Sequence, residues 1–225
     1  MTSKSIIFGI TGCKLTREEQ MFFKKTKPWG IILFSRNIHN LEQLTKLIYQ
    51  IKICVKDKFF PILIDQEGGR ISRLNNIVNF NLFSQQYFGD LYLKDKNFFL
   101  ENYKVYINKT CEILKSAGIN INTVPVLDVL RKKTNTVIGD RAFSNNAKIV
   151  SKLGKICIDL YLKNKIATVV KHIPGHGLSS LDTHNRISKV TENKNILIKN
   201  DFVPFKNCKS FFAMTAHIFY TQYDL

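Results

Sequence analysis

Residues 166–184 read IATVVKHIPGHGLSSLDTH, in which a short apolar run leads directly into a cluster of basic and acidic side chains. Ile166 to Val170 is β-branched and almost wholly apolar, which is typical of a strand buried on both faces. The residues that follow cannot form a regular helix, because Pro174 lacks a backbone donor and the glycines on either side of His176 favour unusual backbone angles. Lys171 to His184 is therefore predicted to be a loop at the end of a buried strand.

The same pattern recurs along the chain. Five other short apolar runs, most of them ending in polar or charged residues, lie at 6–10, 31–34, 61–64, 121–126 and 211–214. Apolar side chains at three- and four-residue spacing predict helices over about 40–56, 97–117 and 146–165. Asn40 is a plausible cap for the first of these helices, and Gly118 a stop for the second. Alternating strands and helices predict a parallel sheet in an α/β fold, with function at the carboxyl ends of the strands.

Composition bounds the remaining properties. A chain of 225 residues with 44% hydrophobic content can bury a sizeable core, and one domain is the simplest organisation. The five cysteines and five histidines show no metal-ligand spacing, so no metal or organic cofactor is expected. Free thiols, no apolar stretch of roughly 18 residues and no apolar core of a secretion signal together predict a cytoplasmic protein.

The net charge of +17 suggests nucleic-acid binding as one alternative. The lysines are dispersed rather than clustered, however, and a weak preference for anionic substrates explains the charge equally well. We therefore expect neither a nucleic-acid nor a membrane partner.

Six segments carry a more specific signal. They are GIILFSRNI (30–38), LIDQEGGRISRL (63–74), VPVLDV (124–129), IGDRAFS (138–144), KHIPGHG with DTH (171–177 and 182–184), and AMTAH (213–217). In their order and spacing they resemble the successive motifs of the bacterial β-N-acetylglucosaminidases of glycoside hydrolase family 3.

The resemblance implies a (β/α)8 TIM-type barrel, of which this chain supplies about six of the eight strand–helix units. Residues 1–225 would then be a single catalytic-barrel domain that is incomplete at its C-terminus. The implied activity is removal of terminal β-linked N-acetylglucosamine from peptidoglycan-derived muropeptides during cell-wall recycling, with retention of configuration. The implied partner is a small carbohydrate, and the oligomeric state stays open.

The resemblance also implies substrate-binding roles for Asp65, Arg73 and Arg141. From the residues alone, Asp65 could equally be a helix cap in a solvated turn. The Asp140-Arg141 pair suits either sugar recognition or a structural ion pair.

Lys171 and His172 are implied to grip the non-reducing sugar. The alternative is a satisfied histidine at a strand end beside a surface lysine. His176 and Gly177 are interpreted as turn architecture rather than chemistry.

His184 is implied to be the proton donor and acceptor, oriented by Asp182. A histidine exchanges protons near neutral pH, and a neighbouring carboxylate can hold its ring and stabilise its charged form. Taken alone, such a pair in a loop is usually solvated surface. The family's nucleophilic aspartate lies beyond the position matched by Leu225, so the nucleophile is expected to be absent from this chain.

Three hypotheses follow from these observations. The chain is part of a family 3 enzyme, as a fragment or a frameshifted gene; or it is a catalytically inactive sugar-binding remnant; or it is a basic nucleic-acid-associated protein on an enzyme scaffold.

Overall fold

The structure is a computed structural model that describes residues 4–132, 134–179, 188–206 and 208–223. Its strands are β1 (Lys4–Phe8), β2 (Pro28–Leu33), β3 (Ile62–Ile64), β4 (Ile121–Asn122), β5 (Ala167–Ile173), β6 (Ser188–Val190), β7 (Phe212–Thr215) and β8 (Ile218–Tyr220). Its α-helices are α1 (Arg17–Thr26), α2 (Leu41–Val55), α3 (Gln85–Lys94), α4 (Lys96–Ala117), α5 (Ala147–Lys163), α6 (Lys194–Lys199) and α7 (Val203–Lys206). Short 3₁₀ turns cover Ser35–Asn37 and Gly139–Arg141.

Within these ranges, six parallel strands form one sheet in the order β1-β2-β3-β4-β5-β7. The strand order follows the chain order, and helices lie between successive strands, as in a (β/α) barrel. The predicted α/β class, the six predicted strands and the six-unit partial barrel are therefore confirmed, although β4 covers only Ile121–Asn122 of the run predicted over 121–126. β1 and β7 form the two edges of this sheet.

The sheet is strongly curved. Trp29 on β2 and Phe212 on β7 are four strand positions apart, a separation of about 19 Å in a flat sheet. Their ring centroids nevertheless lie only 5.3 Å apart, in an edge-to-face arrangement. Side chains on the inner face can meet in this way only if the sheet curls toward a barrel.

Both faces of the sheet are buried at its central strands, as the apolar strand composition predicts, whereas the edge strand β1 is mostly exposed. On β3, Ile62 and Ile64 belong to the main core under the helices, whereas Leu63 belongs to a separate cluster on the inner face. That inner cluster also contains Ile121 and Val169. The alternation follows from the two-residue period of a strand.

The three predicted helices are confirmed. The side chain of Asn40 accepts a hydrogen bond from the backbone N–H of Gln43 (2.8 Å) and so caps α2. Gly118 ends α4 in a left-handed conformation (φ 91°) that suits glycine. Asn146 caps α5. Across the described residues, no helix is both long enough and apolar enough to cross a membrane.

Several elements were not predicted. Helix α1 had a readable signal, because Thr16 and Glu19 form a reciprocal capping box at its start. Strands β6 and β8 have only three residues each and pair with one another in a second small sheet. Segments this short depend on their tertiary neighbours, so a sequence pattern does not reveal them.

The predicted start of the loop at Lys171 was wrong. Strand β5 continues to Ile173, because the backbone of Lys171 donates to the carbonyl of Pro125 (3.2 Å) and accepts from the N–H of Leu127 (2.7 Å). Pairing with β7 on the other side extends over the same residues. Lys171 and His172 are therefore strand residues, and the turn begins at Pro174.

The close packing of α3 on the segment before α5 can be tested at Gly89. A Cβ atom on this residue would overlap the backbone carbonyl of Phe143. We expect Gly89→Ala to lower the free energy of unfolding by about 2 kcal/mol or more, because the colliding atom belongs to the backbone. Gly12→Ala is the matched control, since a Cβ there meets nothing within 4 Å. Urea denaturation of both variants provides the measurement, and equal stabilities would contradict the packing described.

Candidate active site

The predicted site residues lie at the carboxyl ends of neighbouring strands. Asp65 directly follows β3, Asp128 lies in the segment after β4, and Lys171 and His172 lie near the end of β5. Carboxyl ends of parallel strands share one edge of a sheet, which brings together residues far apart in the chain. Lys171 Nζ and Asp65 Oδ1, for example, are 3.0 Å apart although 106 residues separate them.

Lys171 is the centre of a buried ion-pair network. Its Nζ atom lies 3.0 Å from Asp65 Oδ1 and 2.5 Å from Glu67 Oε1, and it donates to Thr123 Oγ1 at 3.1 Å. Its side chain is only 2% exposed. The alternative of a surface lysine is therefore wrong, and the ammonium can remain charged because two carboxylates surround it.

Arg141 joins this network through Glu67. The guanidinium holds both carboxylate oxygens, with Nε 2.8 Å from Oε2 and Nη2 2.9 Å from Oε1. This two-point geometry is the strongest form of an arginine–carboxylate pair. Arg141 also donates from Nη1 to the carbonyl of Val137 (3.0 Å). Nε and Nη2 of Arg141 therefore form a structural ion pair, which was the alternative to sugar recognition in the sequence analysis.

Asp65 lies between Lys171 and Arg73. Arg73 Nη2 is 3.6 Å from Asp65 Oδ2, and the Arg73 guanidinium lies over the Phe34 ring at 5.6 Å. Asp65 also accepts a hydrogen bond from the Thr123 hydroxyl. Its carboxylate is therefore part of an ion-pair network and not a helix cap. In the part of the chain that the structure describes, the buried Nε of Arg73 has no hydrogen-bond partner.

His172 is paired with Asp128, whose side chain is fully buried. Nδ1 of His172 lies 2.7 Å from Asp128 Oδ2. The other oxygen, Oδ1, accepts the backbone N–H groups of His172 (3.2 Å) and His176 (2.8 Å). Asp128 therefore fixes both the ring and the backbone at the end of β5.

His176 and Gly177 have the architectural surroundings that the sequence suggested. The backbone of His176 is bound by Asp128. A Cβ on Gly177 would overlap the carbonyl of Val129, so only glycine lets the chain pass this close.

The environment keeps the three site carboxylates ionised. Burial alone would raise the pKa of Asp65, but the Lys171 ammonium, the Thr123 hydroxyl and the Arg73 guanidinium outweigh burial and lower it to about 2. Burial likewise opposes ionisation of Glu67, yet Lys171 and Arg141 lower its pKa.

For Asp128 the same balance holds. Burial raises its pKa, and the attraction and hydrogen bonds of His172 and His176 more than offset this, so the net shift is downward.

Asp140 and Arg70 form a second ion pair beside the network, with Nε and Oδ1 2.7 Å apart. Arg70 Nη2 also donates to the carbonyls of Thr136, Val137 and Ile138. Arg70 therefore holds the segment that leads into Arg141, which gives Asp140 a structural partner.

The structure thus brings together Asp65, Arg73, Arg141, Lys171 and His172. The predicted catalytic residues Asp182 and His184 lie outside the described residues. Sequence reasoning missed the roles of Glu67, Thr123 and Asp128. The sequence could have indicated Glu67 and Asp128 as site residues, because each carboxylate closely follows an apolar strand run within one of the six family-like segments.

Among residues 4–132, 134–179, 188–206 and 208–223, no group of three or more His, Cys, Asp or Glu side chains has an arrangement that could hold a metal ion.

Comparison with known proteins identifies the family of this chain. Residues 4–225 match the model of the glycosyl hydrolase family 3 N-terminal domain. The chain belongs to this family. It is 31% identical over 203 residues to β-hexosaminidase A of Pseudoalteromonas piscicida, covering 87% of this chain and 33% of that protein. It is 28% identical to the β-hexosaminidase of Xanthomonas campestris pv. campestris strain B100, covering 96% of this chain and 65% of that protein.

Solved structures show the same fold. NagZ from Neisseria gonorrhoeae, in complex with N-trifluoroacetyl-D-glucosamine, superposes with a TM-score of 0.89 at 28% identity. The match covers 99% of this family 3 chain and 66% of the NagZ chain. The chain thus spans between about one third and two thirds of the length of the curated relatives cited above.

Glu67 provides the first test of the network. In Glu67→Gln, Lys171 and Arg141 stay buried but lose a shared counter-charge, so we expect a loss of about 3–5 kcal/mol in the free energy of unfolding. Glu112→Gln removes an exposed carboxylate from a surface pair with Lys109 and should leave stability nearly unchanged. Urea denaturation at neutral pH distinguishes the two variants. A Glu67→Gln variant as stable as wild type would show that this pairing does not support the fold.

Asp65 provides a test by pH. Its pKa is about 2 in the folded chain and about 3.9 when unfolded, so its stabilising contribution is present above about pH 4 and is lost as pH falls toward 2. The stability difference between wild type and Asp65→Asn should therefore be constant above about pH 5 and shrink by about 2 kcal/mol on acidification. Urea denaturation across this range measures the difference. A difference independent of pH would exclude the lowered pKa.

Proposed function

We propose that this family 3 chain binds terminal β-linked N-acetylglucosamine and belongs to a retaining β-N-acetylhexosaminidase that acts on peptidoglycan-derived muropeptides in the cytoplasm. The observation that carries the proposal is the convergence of Asp65, Arg73, Arg141, Lys171 and His172 at one end of the curved sheet. The names of the β-hexosaminidase relatives and the N-acylated glucosamine bound in NagZ support the same class of sugar. All five cysteines are free, which suits a reducing compartment.

The site contains the groups that sugar hydroxyls require. Carboxylate oxygens accept hydroxyl protons, and ammonium and guanidinium groups donate to hydroxyl oxygens. Asp65 and Arg73 are partly exposed, at 16% and 25% of their side-chain surfaces, so a ligand can reach them. The buried Nε of Arg73 adds a donor that no described residue uses.

In the proposed chemistry, His184 protonates the leaving oxygen and then deprotonates water, and Asp182 orients its ring. The nucleophile must be a carboxylate free to attack the anomeric carbon. Asp65 and Glu67 are held in ion pairs with Lys171, Arg141 or Arg73, and Asp128 is held in a hydrogen bond with His172. We therefore propose that none of these three residues is the nucleophile. We place the nucleophile of the relatives in the part of their sequence that this chain does not match.

The same ion pairs favour a second candidate function, sugar binding without turnover. A site whose described strand-end carboxylates, Asp65, Glu67 and Asp128, are each paired with a basic side chain can recognise a sugar without forming a covalent intermediate. Binding and hydrolysis must therefore be measured separately.

Calorimetric titration with N-acetylglucosamine tests the binding. We expect residues 1–225 to bind the sugar and Arg73→Met to weaken binding at least tenfold, because a donor to the sugar is lost. Arg17→Met, which removes an exposed arginine on α1, is the matched control and should bind as wild type does. Absence of binding by the wild-type chain would contradict the proposal.

Hydrolysis of a chromogenic N-acetylglucosaminide separates the two candidate functions. We expect residues 1–225 to bind the sugar without turnover. Turnover that is lost in Asp182→Ala and His184→Ala would confirm the proton-transfer roles and show that a carboxylate of this chain is the nucleophile.

A further inference from the structure

Asp128 uses its two oxygens for different purposes. Oδ1 accepts two backbone N–H groups, those of His172 and His176, at 3.2 and 2.8 Å. Oδ2 lies 2.7 Å from Nδ1 of the His172 ring. The side chain is fully buried, so water does not compete for either oxygen.

We infer that Asp128 is a positioning residue that holds the His172 ring with a proton on Nδ1, so that Nε2 of the neutral ring is a hydrogen-bond acceptor for a sugar hydroxyl. This inference rests on the proposed sugar-binding function and deepens it. An ionised carboxylate can only accept, so a 2.7 Å contact with Nδ1 requires a proton on Nδ1. In a neutral imidazole the other nitrogen then carries the lone pair.

The surroundings of Asp128 agree with an acceptor role. Oδ1 accepts two backbone N–H groups and Oδ2 lies against the His172 ring, and hydrogen bonds of this kind stabilise the ionised form of a carboxyl group. Its contacts are with His172 and with two backbone donors, and both oxygens are engaged. Asp128 therefore acts as an acceptor at both oxygens and carries no proton.

The opposite edge of the His172 ring is available. The side chain is 14% exposed, and within the described ranges of the chain no hydrogen bond to Nε2 is found. A lone pair on Nε2 matches the hydroxyl donors of a sugar. It also differs in kind from the neighbouring Lys171 and Arg73, which can only donate. The tautomer therefore decides whether the site offers an acceptor at this position.

The variant Asp128→Asn reverses the tautomer by a defined route. The two backbone N–H groups require an oxygen at the Oδ1 position, which orients the new amide with its NH₂ group toward Nδ1 of His172. Nδ1 must then accept, and the ring proton moves to Nε2. Nε2 becomes a donor while the size of the side chain is retained.

Nitrogen-15 NMR of the histidine side chains in the full 225-residue chain tests this inference directly. The His172 signals are assigned by their loss in His172→Gln. In wild type we expect a neutral ring with the proton on Nδ1, and in Asp128→Asn a neutral ring with the proton on Nε2. Asp159→Asn, which removes the same charge from a surface pair with Lys155, should leave the His172 signals unchanged.

Titration with N-acetylglucosamine provides the second measurement. We expect Asp128→Asn to bind about tenfold more weakly than wild type, because Nε2 then opposes the hydroxyl donor, whereas Asp159→Asn binds normally. If Asp128→Asn does not fold, the wild-type spectrum alone still decides the tautomer.

The outcomes separate the two levels of the proposal. A proton on Nε2 of His172 in wild type, a doubly protonated ring, or an unchanged tautomer in Asp128→Asn would each overturn the role of Asp128. The expected tautomers together with no binding of N-acetylglucosamine would instead overturn the sugar-binding function and confirm the positioning of His172.

Discussion

One buried carboxylate, that of Glu67, ties the site together. It holds the Arg141 guanidinium through both oxygens and lies 2.5 Å from the Lys171 ammonium. Removing charges from water is costly, and the cost is offset only if each charge keeps an opposite partner with good geometry. The 3₁₀ turn that carries Arg141, the end of β3 and strand β5 must therefore meet at one place for any of the three charges to be stable.

Among the described residues, the cluster around Glu67 is close to electrically neutral. Asp65, Glu67 and Asp128 oppose three permanent cations, which are Arg73, Arg141 and Lys171. The net charge of +17 for the whole chain thus comes from elsewhere, largely from dispersed lysines. These cations explain why the pKa values of Asp65 and Glu67 fall even though burial acts to raise them, whereas His172 and His176 lower the pKa of Asp128.

The curvature of the sheet gives this cluster its setting. The contact between Trp29 and Phe212 closes the inner face, and Leu63, Ile121 and Val169 fill the space below the site. Apolar packing on the inner face and charged groups at the carboxyl ends are two consequences of the same parallel arrangement. Because β5 extends through Lys171 and His172, the strand itself places these two side chains at the cluster.

Much of this could be predicted from the sequence. Apolar runs followed by charged residues determined the six strands, caps and amphipathic spacing determined three helices, and six ordered motifs indicated the family. Local signals of this kind survive because strand burial and helix capping depend on residues near in the chain. Tertiary structure alone decided that Lys171 is buried, that Arg141 pairs with Glu67, and that Asp128 holds His172. Those pairings join residues 44–106 positions apart, and only the packing of the strands determines which opposite charges meet.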